Sequence, residues 1–166
     1  MDDPHRSDAA LVTKALELFQ RAYEAQMGGE LDEAIELYRA SIAAHPTAEA
    51  HTFLGWAYSF QGRLDEAIAE CRTAIEVDPD FGNPYNDIGA YLIEQGKTEE
   101  AIPWLQRALR APRYASYHFP WFNLGRAYLA GDQLNRAIEC FEKALEIEPD
   151  YELAQDALAA VRKKIH

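Results

Sequence analysis

The chain has 166 residues, enough for one ordinary domain with a sizeable core. Hydrophobic residues make up 48% and charged residues 27%, the composition of a folded, water-soluble chain rather than a disordered one. Lys and Arg number 16 against 28 Asp and Glu; the resulting charge of −12 repels phosphate backbones and anionic lipid heads, so neither nucleic acid nor membrane is an expected partner.

From the N-terminus, Met1-Asp2-Asp3-Pro4-His5-Arg6 lacks the basic start and apolar run of a signal peptide. No later stretch has the length of a membrane span, so a cytoplasmic protein is expected. Residues 1–6 are expected to be flexible, with a first helix starting near Ser7 or Asp8. Gly28-Gly29 then marks a turn, because Gly tolerates the left-handed conformation that ends a helix. Leu31-Asp32-Glu33-Ala34-Ile35 opens a second helix, which stops at His45-Pro46, where Pro cannot continue it.

The same pattern then recurs. Gly62 precedes Leu64-Asp65-Glu66-Ala67-Ile68, and Pro79 follows; Gly96 precedes Thr98-Glu99-Glu100-Ala101-Ile102; Gly131 precedes Leu134-Asn135-Arg136-Ala137-Ile138, and Pro149 follows. Asp32, Asp65, Thr98 and Asn135 are expected as N-caps, their side-chain oxygens accepting from free N–H groups of the first turn. Glu33, Glu66 and Glu99-Glu100 place negative charge at the positive helix end. Ala34, Ala67, Ala101 and Ala137 recur at intervals of 33, 34 and 36, a period that means one helix–turn–helix unit per repeat. The extra residues of the last interval fall in the link Ala111-Pro112-Arg113-Tyr114-Ala115-Ser116-Tyr117-His118-Phe119-Pro120. That link is either a docking rim or a longer loop with ordinary packing aromatics. Residues 152–166 form a last helix, with Ala154, Leu158, Val161 and Ile165 in one stripe and a polar outer face suited to a cap. Arg162, Lys163 and Lys164 sit at its negative end, where cations are favoured.

The fourth unit resembles the tetratricopeptide signature in full, with Trp121, Leu124-Gly125 and Tyr128 in the first helix and Ala137, Phe141 and Pro149 in the second. The second unit is similar through Leu54-Gly55, Tyr58, Ala67, Ala74 and Pro79, with His51 in the aromatic place and Cys71 for Phe. The third shows Tyr85, Ile88-Gly89, Leu92, Ala101, Leu105 and Ala108 but has Pro112 one residue early; the first keeps Ala34, Tyr38 and Pro46, with Arg21-Ala22 and Ala25 at the signature places. The resemblance implies an all-α, right-handed superhelical solenoid of four tetratricopeptide-type helix pairs (approximately 7–47, 48–81, 82–117 and 118–151) plus a C-terminal capping helix at 152–166. Small residues at Gly55, Gly89, Gly125, Ala67, Ala101 and Ala137 let the paired helices approach, and Tyr58, Leu92, Tyr128 and Phe141 fill the space beside them.

No catalytic, cofactor or metal motif stands out: there is no nucleophile elbow, phosphate loop or His-Glu-x-x-His. His51 reads as a packing aromatic. Cys71 and Cys140 fall in helix interiors of non-adjacent repeats, out of disulfide reach of each other. The chain is therefore expected to be a binding module and not an enzyme, with no cofactor.

In the resembled family, the first helix of each repeat lines a concave face that binds peptides. Helical spacing then offers Phe19, Tyr23 and Gln26 from the first repeat, and Glu49, Thr52, Phe53, Trp56 and Phe60 from the second. The third offers Asn83, Asn86, Asp87 and Ile93, and the fourth Phe119, Phe122, Asn123 and Arg126. The expected peptide-binding residues are Phe19, Tyr23, Trp56, Phe60, Asn86, Phe122, Asn123 and Arg126, an aromatic half and a hydrogen-bonding half. Phe53, and with it Phe119, is read as a packing wedge. The expected role is an adaptor or scaffold with a protein or peptide partner; the alternatives are a self-assembling homo-oligomeric scaffold or a chaperone for a secreted client. Arg126 and the two Asn only thinly resemble the basic clamp that some family members use on chaperone tails, because the Lys partners are missing.

Overall fold

A computed structural model describes residues 4–166. Among them are nine α-helices: α1 Pro4–Met27, α2 Leu31–Ala44, α3 Ala48–Phe60, α4 Leu64–Val77, α5 Asn83–Glu94, α6 Thr98–Arg110, α7 His118–Ala130, α8 Leu134–Ile147 and α9 Glu152–Ile165. The only extended pairing among the described residues is an isolated parallel bridge between Phe81 and Arg113. The all-α helical repeat expected from the period is present. Residues 1–3 of the expected flexible stretch lie outside the described residues, whereas Pro4, His5 and Arg6 are already helical, so α1 starts ahead of Ser7. Pro is accommodated at a helix start because its missing N–H would have no partner there.

The helices divide into two compact units, one ending at Pro79 and one beginning at Asp80. In the first, α1 packs on α2 and α3 on α4, with α2 against α3. In the second, α5 packs on α6 and α7 on α8, with α6 and α5 both against α7 and α9 against α8.

Each pair closes on a small residue. Ala22, Gly55, Gly89 and Gly125 are buried on the first helices, and Ala34, Ala67, Ala101 and Ala137 have no exposed surface on the second. Opposite them lie Tyr38, Cys71, Leu105 and Phe141, all fully buried. The contact leaves no room for a methyl group at Gly125: a Cβ there would sit 2.6 Å from Phe141 Cδ1 and 2.8 Å from Cζ. Phe141 is fixed in turn by Ala137, Leu158 and Val161. Ala154, Leu158 and Val161 of α9 are buried, but Ile165, expected in the same stripe, is 46% exposed in the last turn.

The turns inside the pairs share one hydrogen-bond pattern. Arg63 N–H donates to Tyr58 C=O and Gly62 N–H to Ser59 C=O, both at 3.0 Å, and equivalent bonds close the turns at Gly29, Gly96 and Asp132. This motif needs a left-handed residue. Gly29, Gly62 and Gly96 supply it at φ 84°, 74° and 78°, but in the fourth turn the left-handed residue is Asp132, at φ 58°, and not Gly131. The expected N-caps also move. The capping positions are Glu30, Arg63, Lys97 and Gln133, none using its side chain, so Asp32, Asp65 and Asn135 lie inside the first turn and Thr98 begins it. The acidic residues there still favour the positive helix end. A side-chain cap occurs instead at Thr47, which accepts from Ala50 N–H at 3.1 Å.

Candidate functional site

The first unit carries a cluster of rings centred on Phe53 of α3. Its ring centroid lies 5.2 Å from Phe19, 5.9 Å from Tyr23, 6.3 Å from Tyr38 and 5.8 Å from Trp56, and Trp56 reaches Phe60 at 5.2 Å. Most of these contacts are tilted or edge-on, the geometry that aromatic quadrupoles favour. The wedge reading of Phe53 agrees with this central place. Tyr23 and Phe60 bound the cluster at 37% and 59% exposure, and Phe19 and Trp56 are partly buried between them. Beneath the rings, Tyr38 Oη donates to Gln26 Oε1 at 2.8 Å, while the buried Gln26 Nε2 has no partner. Burial raises the Tyr38 phenol well above its ordinary value, with Tyr23 adding to it. Two residues expected on this face are elsewhere: Gln26 is buried, and so is Thr52, whose hydroxyl donates back to Ala48 C=O at 2.7 Å. His51 does more than pack, because its Nδ1 lies 2.8 Å from Glu70 Oε2 across the α3–α4 pair.

The second unit carries a polar chain laid across α5 and α7. Arg126 Nη1 donates to Asn123 Oδ1 at 3.0 Å, Asn123 Nδ2 donates to Asn86 Oδ1 at 3.0 Å, and Asn86 Nδ2 approaches Asp87 Oδ1 at 3.5 Å. Asn86 and Asn123 are each only 7% exposed, so these amides, expected as open donors, spend themselves on each other. Helical spacing singled them out but could not give their depth. Arg126 and Asp87, at the two ends, remain partly exposed. Burial in a poorly hydrated setting lifts the Asp87 carboxyl to about 7, against the pull of the Asn86 amide.

Aromatic side chains flank both ends. Arg126 lies 6.0 Å above the Phe122 ring, and Phe122 packs on Tyr151 at 5.1 Å and on Phe141 at 5.7 Å. Phe119, read from sequence as a wedge, is 40% exposed and touches Tyr151 at 5.7 Å and His118 at 4.1 Å. On the Asp87 side, Tyr114 stacks edge-on against Tyr117 at 5.3 Å, and its phenol is raised by burial and then by the nearby Asp87 charge. The link that carries it is pinned: Gly82 N–H donates to Arg113 C=O at 3.1 Å, Arg113 N–H to Asp80 C=O at 3.0 Å, and Tyr117 Oη to Ala111 C=O at 2.6 Å. Tyr114 lies so close over Gly82 that a Cβ there would come within 2.9 Å of its Cδ1 and nearer still to Cβ and Cγ. Sequence reasoning flagged the Tyr-rich link but not the role of Gly82, and it missed Tyr151 altogether. The signal for Gly82 was its place just before the Pro84 helix start.

Paired helices closed on small residues, with side chains gathered on the first helix of each pair, define a helical-repeat interaction module. Models of the tetratricopeptide repeat match residues 20–81, 61–116 and 119–151. The chain belongs to the tetratricopeptide-repeat family. Such repeats mediate protein–protein interaction. Among curated relatives, it is 28% identical over 118 residues to Protein NPGR2 of Arabidopsis thaliana, covering 68% of this chain and 16% of that one. It is 23% identical over 155 residues to Small glutamine-rich tetratricopeptide repeat-containing protein 2 of Mycosarcoma maydis, covering 93% of this chain and 34% of the relative. The chain thus spans about a third or less of these relatives. Among solved structures, PilF of Pseudomonas aeruginosa superposes with a TM-score of 0.87 at 24% identity, covering 93% of this chain and 70% of that one. The first repeat domain of Spaghetti (RPAP3) bound to the HSP90 peptide SRMEEVD superposes with a TM-score of 0.67 at 24% identity, covering 72% and 93%. At these identities the structural likeness speaks for the fold alone. Among the described residues, no helix is long and apolar enough to cross a membrane.

Proposed function

We propose that this chain is an adaptor or scaffold that binds a protein or peptide segment through the first helices of its pairs. The observation that carries this reading is the chain of hydrogen bonds from Arg126 through Asn123 and Asn86 to Asp87. Buried amides stabilise a helix contact no better than apolar side chains of the same shape. A fully directed polar chain with a partly exposed charge at each end is suited to hold groups arriving from outside. Arg126 has spent one of its five N–H donors on Asn123, leaving others for a backbone carbonyl or a carboxylate. In the first unit, Tyr23, Trp56 and Phe60 offer ring faces and edges to apolar side chains. Exposed contiguous aromatics mark interaction surfaces, and Tyr, Trp and Arg dominate binding hot spots.

The test uses Arg126→Ala and Trp56→Ala separately, with Glu142→Ala as control, since Glu142 of α8 pairs with the exposed Arg162, away from the first helices. Partner capture by the folded Arg126 and Trp56 variants should each weaken by about 2 kcal/mol, and capture by the control should not. Unchanged capture by both site variants, with loss in the control, would move the binding face elsewhere.

Self-association has an observation of its own. Leu11, Val12 and Leu16 of α1 are exposed at 42%, 36% and 61%. With Ala15, Phe19 and His45, Val12 and Leu16 line an apolar cleft of about 210 Å³. If a second copy covers this face, light scattering will show a mass above the monomer that falls on dilution and on Leu16→Glu. A monomer at every concentration removes that reading.

A further inference from the structure

We propose that Asp87 is the anchor for a cationic side chain, Lys or Arg, of the bound segment, so that the second unit selects a partner with a basic group at Asp87 and a carbonyl or carboxylate at Arg126. This rests on the peptide-binding reading above and names the chemistry of the partner.

Three observations support it. First, the Asp87 carboxylate is underserved. Its hydrogen bond from Asn86 is long, at 3.5 Å, and among the described residues no Lys, Arg or His forms an ion pair with it. Buried carboxylates are ordinarily paired, because dehydration without a cation is costly. Asp87 is dehydrated enough to be raised to about 7, yet the residue is not fully buried. The proposed cation reaches it from outside.

Second, its neighbours suit a cation. Asn86 faces it from α5, and Tyr114 feels its charge from the pinned link. Tyr117 of the link and Tyr151 before α9 couple to Tyr114 in turn. Arg126 of α7, the one cation in the network, is held at the far end by Asn123. Phenol rings beside a carboxylate give a guanidinium or an ammonium stem a face to lie on. Third, the chain's charge of −12 draws basic segments toward it over a longer range.

The chemistry predicts a linked proton. A cation binds the carboxylate and not the carboxylic acid, so association near neutral pH expels a proton from Asp87. Affinity should therefore fall as pH drops below about 7.

The experiment pans a phage-displayed library of random linear peptides against wild type, Asp87→Asn and Arg126→Ala at about pH 8.5. Asp87→Asn keeps the size of the side chain and an acceptor for Asn86, and circular dichroism checks that both variants stay helical. Wild type should enrich peptides with Lys or Arg; Asp87→Asn should enrich peptides without that bias; Arg126→Ala should keep the basic preference. Synthetic copies of the winners, those with His excluded, should bind wild type at least about tenfold more weakly at about pH 5.5 than at about pH 8.5. On Asp87→Asn they should bind weakly and with a flat pH profile. Enrichment of no peptide by wild type overturns the peptide-binding reading and this inference with it. Enriched peptides without basic residues, or equal binding and the same pH profile on Asp87→Asn, overturn the role of Asp87 and leave the binding reading standing.

Discussion

Gly125→Ala tests the closest helix contact in the second unit. The new Cβ would lie 2.6 Å from Phe141 Cδ1 and 2.8 Å from Cζ, where about 3.4 Å is the start of ordinary contact. The ring must therefore shift by most of an ångström. It has little room to do so, because Phe141 is wholly buried among Ala137, Leu158 and Val161, with Phe122 at 5.7 Å. Overpacking of this kind costs about 1–3 kcal/mol. The exchange also gains up to about 1 kcal/mol of helix propensity. The expected net loss is about 1–2 kcal/mol, and Gly125→Leu should lose more. The assay is urea unfolding followed by circular dichroism, with the midpoint falling at unchanged slope. A rescue separates this cause from others: Phe141→Leu removes the ring edge, so the double variant should be clearly more stable than the sum of the single losses implies. An unchanged midpoint in Gly125→Ala, or strict additivity in the double variant, would refute the clash.

Asp132→Gly should raise stability by about 1 kcal/mol in the same assay, because a left-handed backbone is costly for a residue with a Cβ. Tyr38→Phe should cost about 1–3 kcal/mol by leaving the buried Gln26 amide without its remaining partner, and a further Gln26→Leu should recover part of the loss. Asp87→Asn should change the pH profile of stability. The folded carboxyl is raised from 3.8 to about 7, so between those values the folded chain holds a proton that the unfolded chain has released. Asp87 therefore favours the folded state most at low pH, and its contribution falls as pH rises through that window, by up to about 1.4 kcal/mol per pH unit. The variant should gain stability over wild type at pH 8 and little at pH 4; an equal difference at both would contradict the shift.

The repeat was legible because its steric demands recur. A small residue facing a small residue, a turn residue and a helix stop come back at a fixed interval, and each is a property of one or two positions. The fourth turn was misread because Gly131 stands one place before the left-handed residue, which is Asp132. The caps were misread because Asp32, Asp65 and Asn135 follow a Leu that already opens the helix. At the site, helical spacing singled out Asn86 and Asn123, which a hydrogen bond joins. That they would bury each other depends on how closely α5 and α7 approach, which joins residues 37 apart and leaves no local trace. The Tyr114 contact depends likewise on a missing Cβ at Gly82.

The polar chain on α5 and α7 has a direction that it cannot reverse. A guanidinium has nothing to accept with and a carboxylate nothing to donate, so each amide between them has a single permitted orientation. Hydrogen bonds in series polarise one another. A cation arriving at Asp87 would therefore draw electron density along the whole row and make Arg126 a better donor, with hardly an atom displaced. The two ends would then be sensed jointly, and a ligand lacking either charge would lose more than that one contact. Protonation of Asp87 turns the sink into a potential source, and from that moment the guanidinium alone decides which way the amides face.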